Sequence, residues 1–489
     1  MLVARDSRHH RRGQQADILG RLRSLLRRLA AIASGQYHRG PKRSRQRHGS
    51  SAFHGRAYAR HDTTGRRVWL IKREISAWRL GALVCAFLVV LWLAWCVVAQ
   101  TAALSLVQSD PEAALSFVAD QPVALNRLAQ RELLNSDSNL DAAGQWAQRT
   151  LRASPLNARA LTLLGLIAER KGNQKSAVAL MRISAARTWG YPTAQAWLFD
   201  YELRRANYPD ALLHLDAFLR SDFQSRAESF PMLASFTGYP AAFKALIALL
   251  ATSPPWRDWL LSELSSHLSN QARLIELYSA LSETENPPTK KELGPYLSRL
   301  INDGNFEQAY QAWHRTLPPD QRARETYPFN RDFDLPIGDL PFNWSLETTA
   351  GAAMQIVAAG DGGGKRALLV QFSGARVHFA MKQFMLLPAG DYSFTGRVKT
   401  ERLVTSRGLW WRIDCANSSQ TLANTELVSG TMRWTEFKVD FQVPVTGCEA
   451  QSLKLELPAR IDPELRIEGQ VWYQNLQIMP ITKTAAPLH

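Results

Sequence analysis

The sequence predicts a multidomain chain, helical first and β-stranded afterwards, tethered by a single transmembrane helix: an α-solenoid followed by a C-terminal antiparallel β-sandwich. Three observations predict it. Residues 80–99 form a run of 20 without a charge. Residues 100–320 are rich in Ala and Leu, with apolar residues at helical spacing through most of their length. From residue 326 the period changes to two, and turn residues separate short alternating runs.

The uncharged run, Leu80–Ala99, reads LGALVCAFLVVLWLAWCVVA. As a helix it is about 30 Å long, the thickness of a bilayer core. Charge orients it. Residues 1–79 hold 20 of the 59 basic residues and four of the 43 acidic ones, so the remainder is balanced and the net charge of +16 precedes the span. Lys72, Arg73 and Arg79 lie directly against it, and basic flanks stay on the cytoplasmic side. The expected placement is a single pass through a bacterial inner membrane, N-terminus cytoplasmic and bulk periplasmic. A cleaved signal peptide has a shorter apolar core and a shorter leader. A lipoprotein signal needs a small residue before its cysteine, where Trp95 precedes Cys96.

Residues 1–79 read as a largely disordered basic tail. One stretch differs. Ile18, Leu22, Leu25, Leu26, Leu29 and Ile32 follow helical spacing, with Arg21, Arg23, Arg27 and Arg28 between them. This is a basic amphipathic helix, 18–32, suited to an anionic leaflet. The tail has few aromatic residues for base stacking and no nucleic-acid-binding motif, so nucleic acid is not an expected partner.

In residues 100–320, Ala143, Ala177 and Ala211 are spaced by 34. Leu164-Gly165, Ala168, Met181 and Ser184 fill the small and apolar slots around the central one, and Leu198, Phe199, Leu215 and Phe218 repeat the pattern. The turn Lys171-Gly172-Asn173 and a further unit from Tyr296 through Gly304-Asn305-Phe306 to Ala309 and Trp313 complete it. This resembles the tetratricopeptide repeat. Residues 230–285 depart from the pattern and read as degenerate repeats. The resemblance implies a stacked array whose groove docks a peptide or protein segment; a plain spacer is the alternative. The aromatic residues Trp189, Tyr191, Trp197, Phe199 and Tyr201 are expected in its core.

Residues 326–480 form the β region, ahead of a short tail at 481–489. Alternating runs recur at Ala367–Phe372, Tyr392–Val398, Leu409–Ile413, Thr435–Phe441, Leu453–Leu457 and Val471–Ile478, separated by turns such as Pro388-Ala389-Gly390. Cys415 and Cys448 lie here. On the oxidising side of the membrane they are expected to pair; two free buried thiols are the alternative. Cys85 and Cys96 lie in the span as ordinary apolar residues.

The region from Tyr327 to Met479 resembles the jelly rolls of carbohydrate-binding modules. The carriers are Asn330-Arg331-Asp332-Phe333, Phe342-Asn343-Trp344, Pro388 to Phe394, Trp434 to Phe437, Leu455-Glu456-Leu457 and the last strand Gly469 to Leu476. The resemblance implies binding of a saccharide through aromatic faces and polar side chains. The candidate ligand-binding residues are Trp410, Trp411, Trp344 and Tyr473, with Trp434 and Trp472 also aromatic in this region. Trp410 and Trp411 are adjacent in a strand, so they point to opposite faces. Members often hold a structural calcium with an acidic residue in the last strand. Gln474 or Asn475 stands there, so no calcium is expected. Members often open on Asn-Gly, where this chain has Asn330-Arg331.

No other chemistry stands out. Gly360–Arg366 lacks the spacing of a phosphate loop, and the histidines of the outer region have no metal-ligand spacing. Asp332, Asp334 and Asp339 read as solvated loop acids. No cofactor, metal or catalytic residue is expected. The sequence therefore points to a non-enzymatic membrane-anchored scaffold in envelope or exopolysaccharide assembly, whose repeats dock a protein while the sandwich contacts a glycan or subunit. A polysaccharide-modifying enzyme and a structural spacer without glycan binding are the alternatives.

Overall fold

A computed structural model describes residues 77–135, 139–188, 192–221, 225–323, 326–338, 340–347, 350–360, 365–418 and 420–481. The amphipathic stretch 18–32, Trp189, Tyr191 and Asp339 lie outside the described residues. The chain divides into two compact units, Met1–Met232 and Leu233–His489.

In the first unit the uncharged run belongs to one helix of 30 residues, Ala77–Leu106. It is the one single helix among the described residues long and apolar enough to cross a membrane, with the apolar window at Val84–Leu106. It continues past Ala99 without a break. Ala103 and Val107 are buried in a cluster with Ala114 and Ala124, from the helices Pro111–Phe117 and Pro122–Leu134. Alanine is what lets these backbones approach. The end of this apolar helix is therefore packed against the helices that follow it.

The next helices alternate: Leu140–Ala153, Ala158–Arg170, Gln174–Arg187, Pro192–Arg204 and Tyr208–Ser221. Helices start at residues 140, 174 and 208, repeating the 34-residue spacing of the sequence. Ala143, Ala177 and Ala211 occupy the fourth position of each and are fully buried. Asn139, Asn157 and Asn173 cap three of these helices with side-chain oxygens accepting from backbone N–H groups at 2.9–3.1 Å. Gly165 has a packing reason: a Cβ there would lie 3.0 Å from the Met181 methyl, and Met181 is fully buried. Gly172, in the turn before Asn173, takes a φ of +78° that other residues reach only with strain.

The second unit begins with the stretch that departs from the repeat. It folds as Pro240–Ala251, Arg257–His267 and Gln271–Ser282, followed by Lys290–Asn302 and Phe306–His314. A buried ion pair holds it. The side chains of Arg257 and Glu292 are 2% and 6% exposed and lie 3.0 Å apart. Arg257 also donates to the carbonyls of Leu250 (3.1 Å) and Asn286 (2.9 Å), and Glu292 accepts from the Thr289 N–H in a capping box. Tyr278 donates to the Glu292 carbonyl at 2.9 Å and stacks on Tyr296. Burial pushes the Tyr296 hydroxyl up to about 12. The last of these helices packs on the chain entering the sandwich: Trp313 meets Phe329 edge-on at 4.9 Å and Tyr310 meets Phe342 at 5.4 Å.

Among the described residues the sandwich has ten strands in two five-stranded antiparallel sheets. They are β1 (Ser345–Glu347), β2 (Ala352–Ala358), β3 (Arg366–Arg376), β4 (Ala380–Met385), β5 (Gly390–Thr405), β6 (Trp410–Cys415), β7 (Thr421–Asn424), β8 (Gly430–Val443), β9 (Gln451–Glu456) and β10 (Arg466–Pro480). One sheet has the order β1-β4-β9-β6-β7, the other β2-β3-β10-β5-β8. Their inner faces share one apolar core, including Leu368, Val370, Phe394, Val398, Trp411, Leu453, Leu455 and Val471. Alternation along each strand therefore assigns every second side chain to an outer face.

Removing Arg257 leaves a buried carboxylate uncompensated. Arg257→Met is expected to cost about 3–5 kcal/mol of stability. Urea denaturation followed by Trp fluorescence measures it, and an unchanged midpoint would contradict a stabilising role for the pair.

Candidate functional site

The outer face of the sheet β1-β4-β9-β6-β7 collects a polar network around one indole. In β6, Trp411, Ile413 and Cys415 face the core, so Trp410, Arg412 and Asp414 face outward. Antiparallel register lays the outward residues of β9 beside them: Glu456 opposite Trp410, Lys454 opposite Arg412 and Ser452 opposite Asp414. Lys382 of β4 lies beyond Lys454, and Asn424 of β7 beside Arg412.

The side chains hold one another. Trp410 Nε1 donates to Glu456 Oε1 at 3.3 Å, and Arg412 Nη1 donates to the same oxygen at 3.2 Å. Arg412 Nε donates to both oxygens of Asp414, at 2.7 and 2.9 Å. Thr421 Oγ1 donates to Asp414 at 2.9 Å, and Lys454 approaches it at 3.4 Å. The Asp414 side chain is 7% exposed and that of Glu456 19%. Burial alone would raise the Asp414 carboxyl. Hydrogen bonds from Arg412 and Thr421, with the charges of Arg412 and Lys454, outweigh it and hold the group below the usual carboxylate range. The hydrogen bond that Arg412 donates to Asp414 in turn raises the Arg412 guanidinium. The result is a half-exposed indole with its N–H anchored, beside fixed donors and acceptors.

The disulfide ties the end of β6 in place. Cys415 and Cys448 are bonded, with Cα atoms 5.1 Å apart. The Ala416 N–H donates to the Ala450 carbonyl at 2.8 Å, and Gln451 Nε2 donates to the Cys448 carbonyl at 2.9 Å.

Of the residues expected to face a ligand, Trp410 alone is on this outer face. Trp411 and Tyr473 are 1% exposed and Trp344 is fully buried. Trp411 packs on Trp344 at 5.6 Å, on Tyr473 at 5.2 Å and on Phe394 at 5.9 Å. These rings close the space between the sheets, so they have no face for a ligand. Trp434 and Trp472 lie on strands of the other sheet. Of the acids expected in a loop, Asp332 pairs with Arg331 at 3.2 Å. At the opening turn Asn330 itself takes φ +54°, and its amide bonds both the N–H and the carbonyl of Leu335. Among the described residues no group of three or more His, Cys, Asp or Glu is placed to hold a metal.

The sequence reading did not single out Arg412, Asp414, Lys454 or Glu456 as site residues. A signal was present. Both W-W-R-I-D-C in β6 and S-L-K-L-E in β9 alternate apolar with charged residues, which marks one wet face on each.

No family model matches this chain, and no curated protein matches it. Through its C-terminal sheet domain the chain is similar to solved carbohydrate-binding modules. A CBM4 structure is 15% identical, covering 31% of this chain and 98% of its own, with a TM-score of 0.24. A putative sugar binding protein from Bacteroides thetaiotaomicron is 12% identical, covering 32% of this chain and 100% of its own, with a TM-score of 0.25. TmCBM61 in complex with β-1,4-galactotriose is 15% identical with the same two coverages and a TM-score of 0.23. At these values the likeness concerns fold alone.

The network has a pH signature. The Asp414 carboxyl lies below its unfolded value, so its contribution is complete above the ordinary Asp range, about 3.9, and is lost as pH falls through the lower folded value. Asp414→Asn is expected to cost about 1–3 kcal/mol at neutral pH and to flatten the loss of stability on acidification. Denaturation series between pH 7 and pH 3 on both proteins check this; parallel curves would count against it. Replacing Cys415 and Cys448 together by Ser is expected to cost about 3–4 kcal/mol, the chain-entropy value for the 33-residue separation, measured by denaturant midpoint.

Proposed function

We propose that the protein is a membrane-anchored, non-enzymatic scaffold of the bacterial envelope that binds a saccharide on the outer face of β1-β4-β9-β6-β7. The observation that carries the reading is the half-exposed Trp410, fixed by Glu456 and flanked by Arg412 and Lys454. An indole face packs on the apolar face of a sugar ring, while fixed polar groups take hydroxyls without losing freedom on binding. A jelly roll of the carbohydrate-binding type is the finer reading of this sandwich.

The non-enzymatic part rests on the state of the acids. Glycoside hydrolysis needs a carboxylic acid with a raised pKa beside a second carboxylate. On this face Asp414 is held low, and both Asp414 and Glu456 are engaged by Arg412. The placement rests on the span. A helix apolar on all sides from Val84 to Val98, which buries little of that surface in the protein, suits a bilayer. The basic flank at Lys72, Arg73 and Arg79 supports an N-terminus in the cytoplasm and a sandwich in the periplasm. The 34-residue spacing of the first unit supports tetratricopeptide-type repeats that dock a protein of an exopolysaccharide assembly.

The test uses the full-length protein in detergent micelles against a panel of neutral bacterial and plant polysaccharides, read by affinity gels and Trp fluorescence. Saturable binding is expected to weaken about tenfold in Trp410→Ala, the cost of one stacking ring. Folded protein that binds no member of the panel would overturn the reading and leave the structural spacer.

A further inference from the structure

The two remaining tryptophans of the sandwich lie on the opposite outer face. In β10, Val471 and Tyr473 belong to the core, so Trp472 points outward. In β5, Val398 faces the core, so Arg397 and Lys399 point outward. Register sets Lys399 opposite Trp472 on one side and Leu369 of β3 on the other, with Gln355 of β2 beyond Leu369. One step along the same face, Gln470 is flanked by Gln371 and Glu401. Trp434 of β8 lies across β5 from Trp472, at a bulge in the β5–β8 ladder. Two strand spacings separate the tryptophan-bearing strands, or about 10 Å.

The cations of this face differ from those of the first. There Arg412 and Lys454 are each held by a carboxylate. Here the Lys399 ammonium lies 4.6 Å from the centre of the Trp472 ring and pairs with no carboxylate among the described residues. The Arg397 guanidinium lies over Trp434 at 5.5 Å and has Glu436 as its cross-strand neighbour. Glu401 stands opposite Gln470. Among the described residues Lys399 is thus a cation whose charge is answered by a ring alone, between Trp472 and Trp434 and diagonal to Gln470, with Gln371 and Gln355 farther across the same face on β3 and β2.

We propose that the outer face of β2-β3-β10-β5-β8 is a second saccharide site, specific for a carboxylate-bearing glycan, with Lys399 taking the carboxylate and Trp472 the sugar ring. Gln355, Gln371 and Gln470 supply donors and acceptors for hydroxyls. The charge complementarity is local: one ammonium held by a π face gains more from an incoming carboxylate than one already in an ion pair. The site is independent of Trp410 and stands whether or not the first face binds.

The test titrates the full-length protein in detergent micelles with oligogalacturonate and hyaluronan oligosaccharides, and with neutral galactan oligosaccharides as a control. Binding of an acidic oligosaccharide is expected, weakening as salt is raised. Lys399→Gln should weaken it about tenfold and remove most of the salt dependence. Trp472→Ala should weaken it about tenfold, Trp472→Phe much less, and Trp410→Ala not at all. Lys399→Gln and Trp472→Phe keep the decision open to experiment if Trp472→Ala does not fold. The proposal is overturned if folded protein binds neither acidic oligosaccharide, if binding ignores both Lys399→Gln and Trp472→Phe or Ala, or if Trp410→Ala abolishes it, which would seat the acidic glycan on the first face. Loss of neutral binding in Trp410→Ala with acidic binding retained would support both sites at once.

Discussion

Trp411, wedged between Trp344, Phe394 and Tyr473, is the contact on which the sandwich depends. It fills the space between the two sheets near the start of β6, and its own Nε1 has no hydrogen-bond partner among the described residues. That loss is tolerable only where the ring's apolar burial is nearly complete. With Trp411 inside, the pleat leaves Trp410 no choice but the outer face, and Arg412 and Asp414 follow it. The disulfide at Cys415 then fixes the end of the same strand. The core therefore sets the geometry of the candidate face directly, one residue out of step with it.

The helical regions use a different device. Small residues bring backbones together at Ala103, Ala114, Ala124, Ala143, Ala177 and Ala211, each fully buried. The end of the long apolar helix is treated in the same way as any other helix of its unit. In the second unit the Arg257–Glu292 pair takes over where the repeat spacing is lost. Buried charge is a weak source of stability but a strong constraint on register, because a misplaced partner leaves an ion unpaired.

The two outer faces of the sandwich show how one scaffold can present two chemistries. Both carry tryptophan and cations. On one face the cations are spent on internal carboxylates, which makes the surface rigid and nearly neutral. On the other, Lys399 rests on an indole. The difference lies in cross-strand neighbours, Glu456 in one case and Leu369 in the other, and not in the composition of either face.

Several features were legible in the residues alone, because they depend on local period and composition. The uncharged run, the 34-residue spacing and the alternation after residue 326 each bury a stripe or a face whatever the partner is. The divergence of Trp410 and Trp411 follows from the pleat. Two things were not local. Which of the pair turns inward depends on which face meets the second sheet, and Trp344 and Tyr473 went inward for the same reason. Glu456, the partner of Trp410 and the second partner of Arg412, comes from β9, more than forty residues away, and only the antiparallel register brings Glu456 and Lys454 beside them. The sequence by itself determined the elements and their wet and dry sides; the tertiary structure decided which rings became core and which charges became neighbours, because both are set by pairing between distant strands.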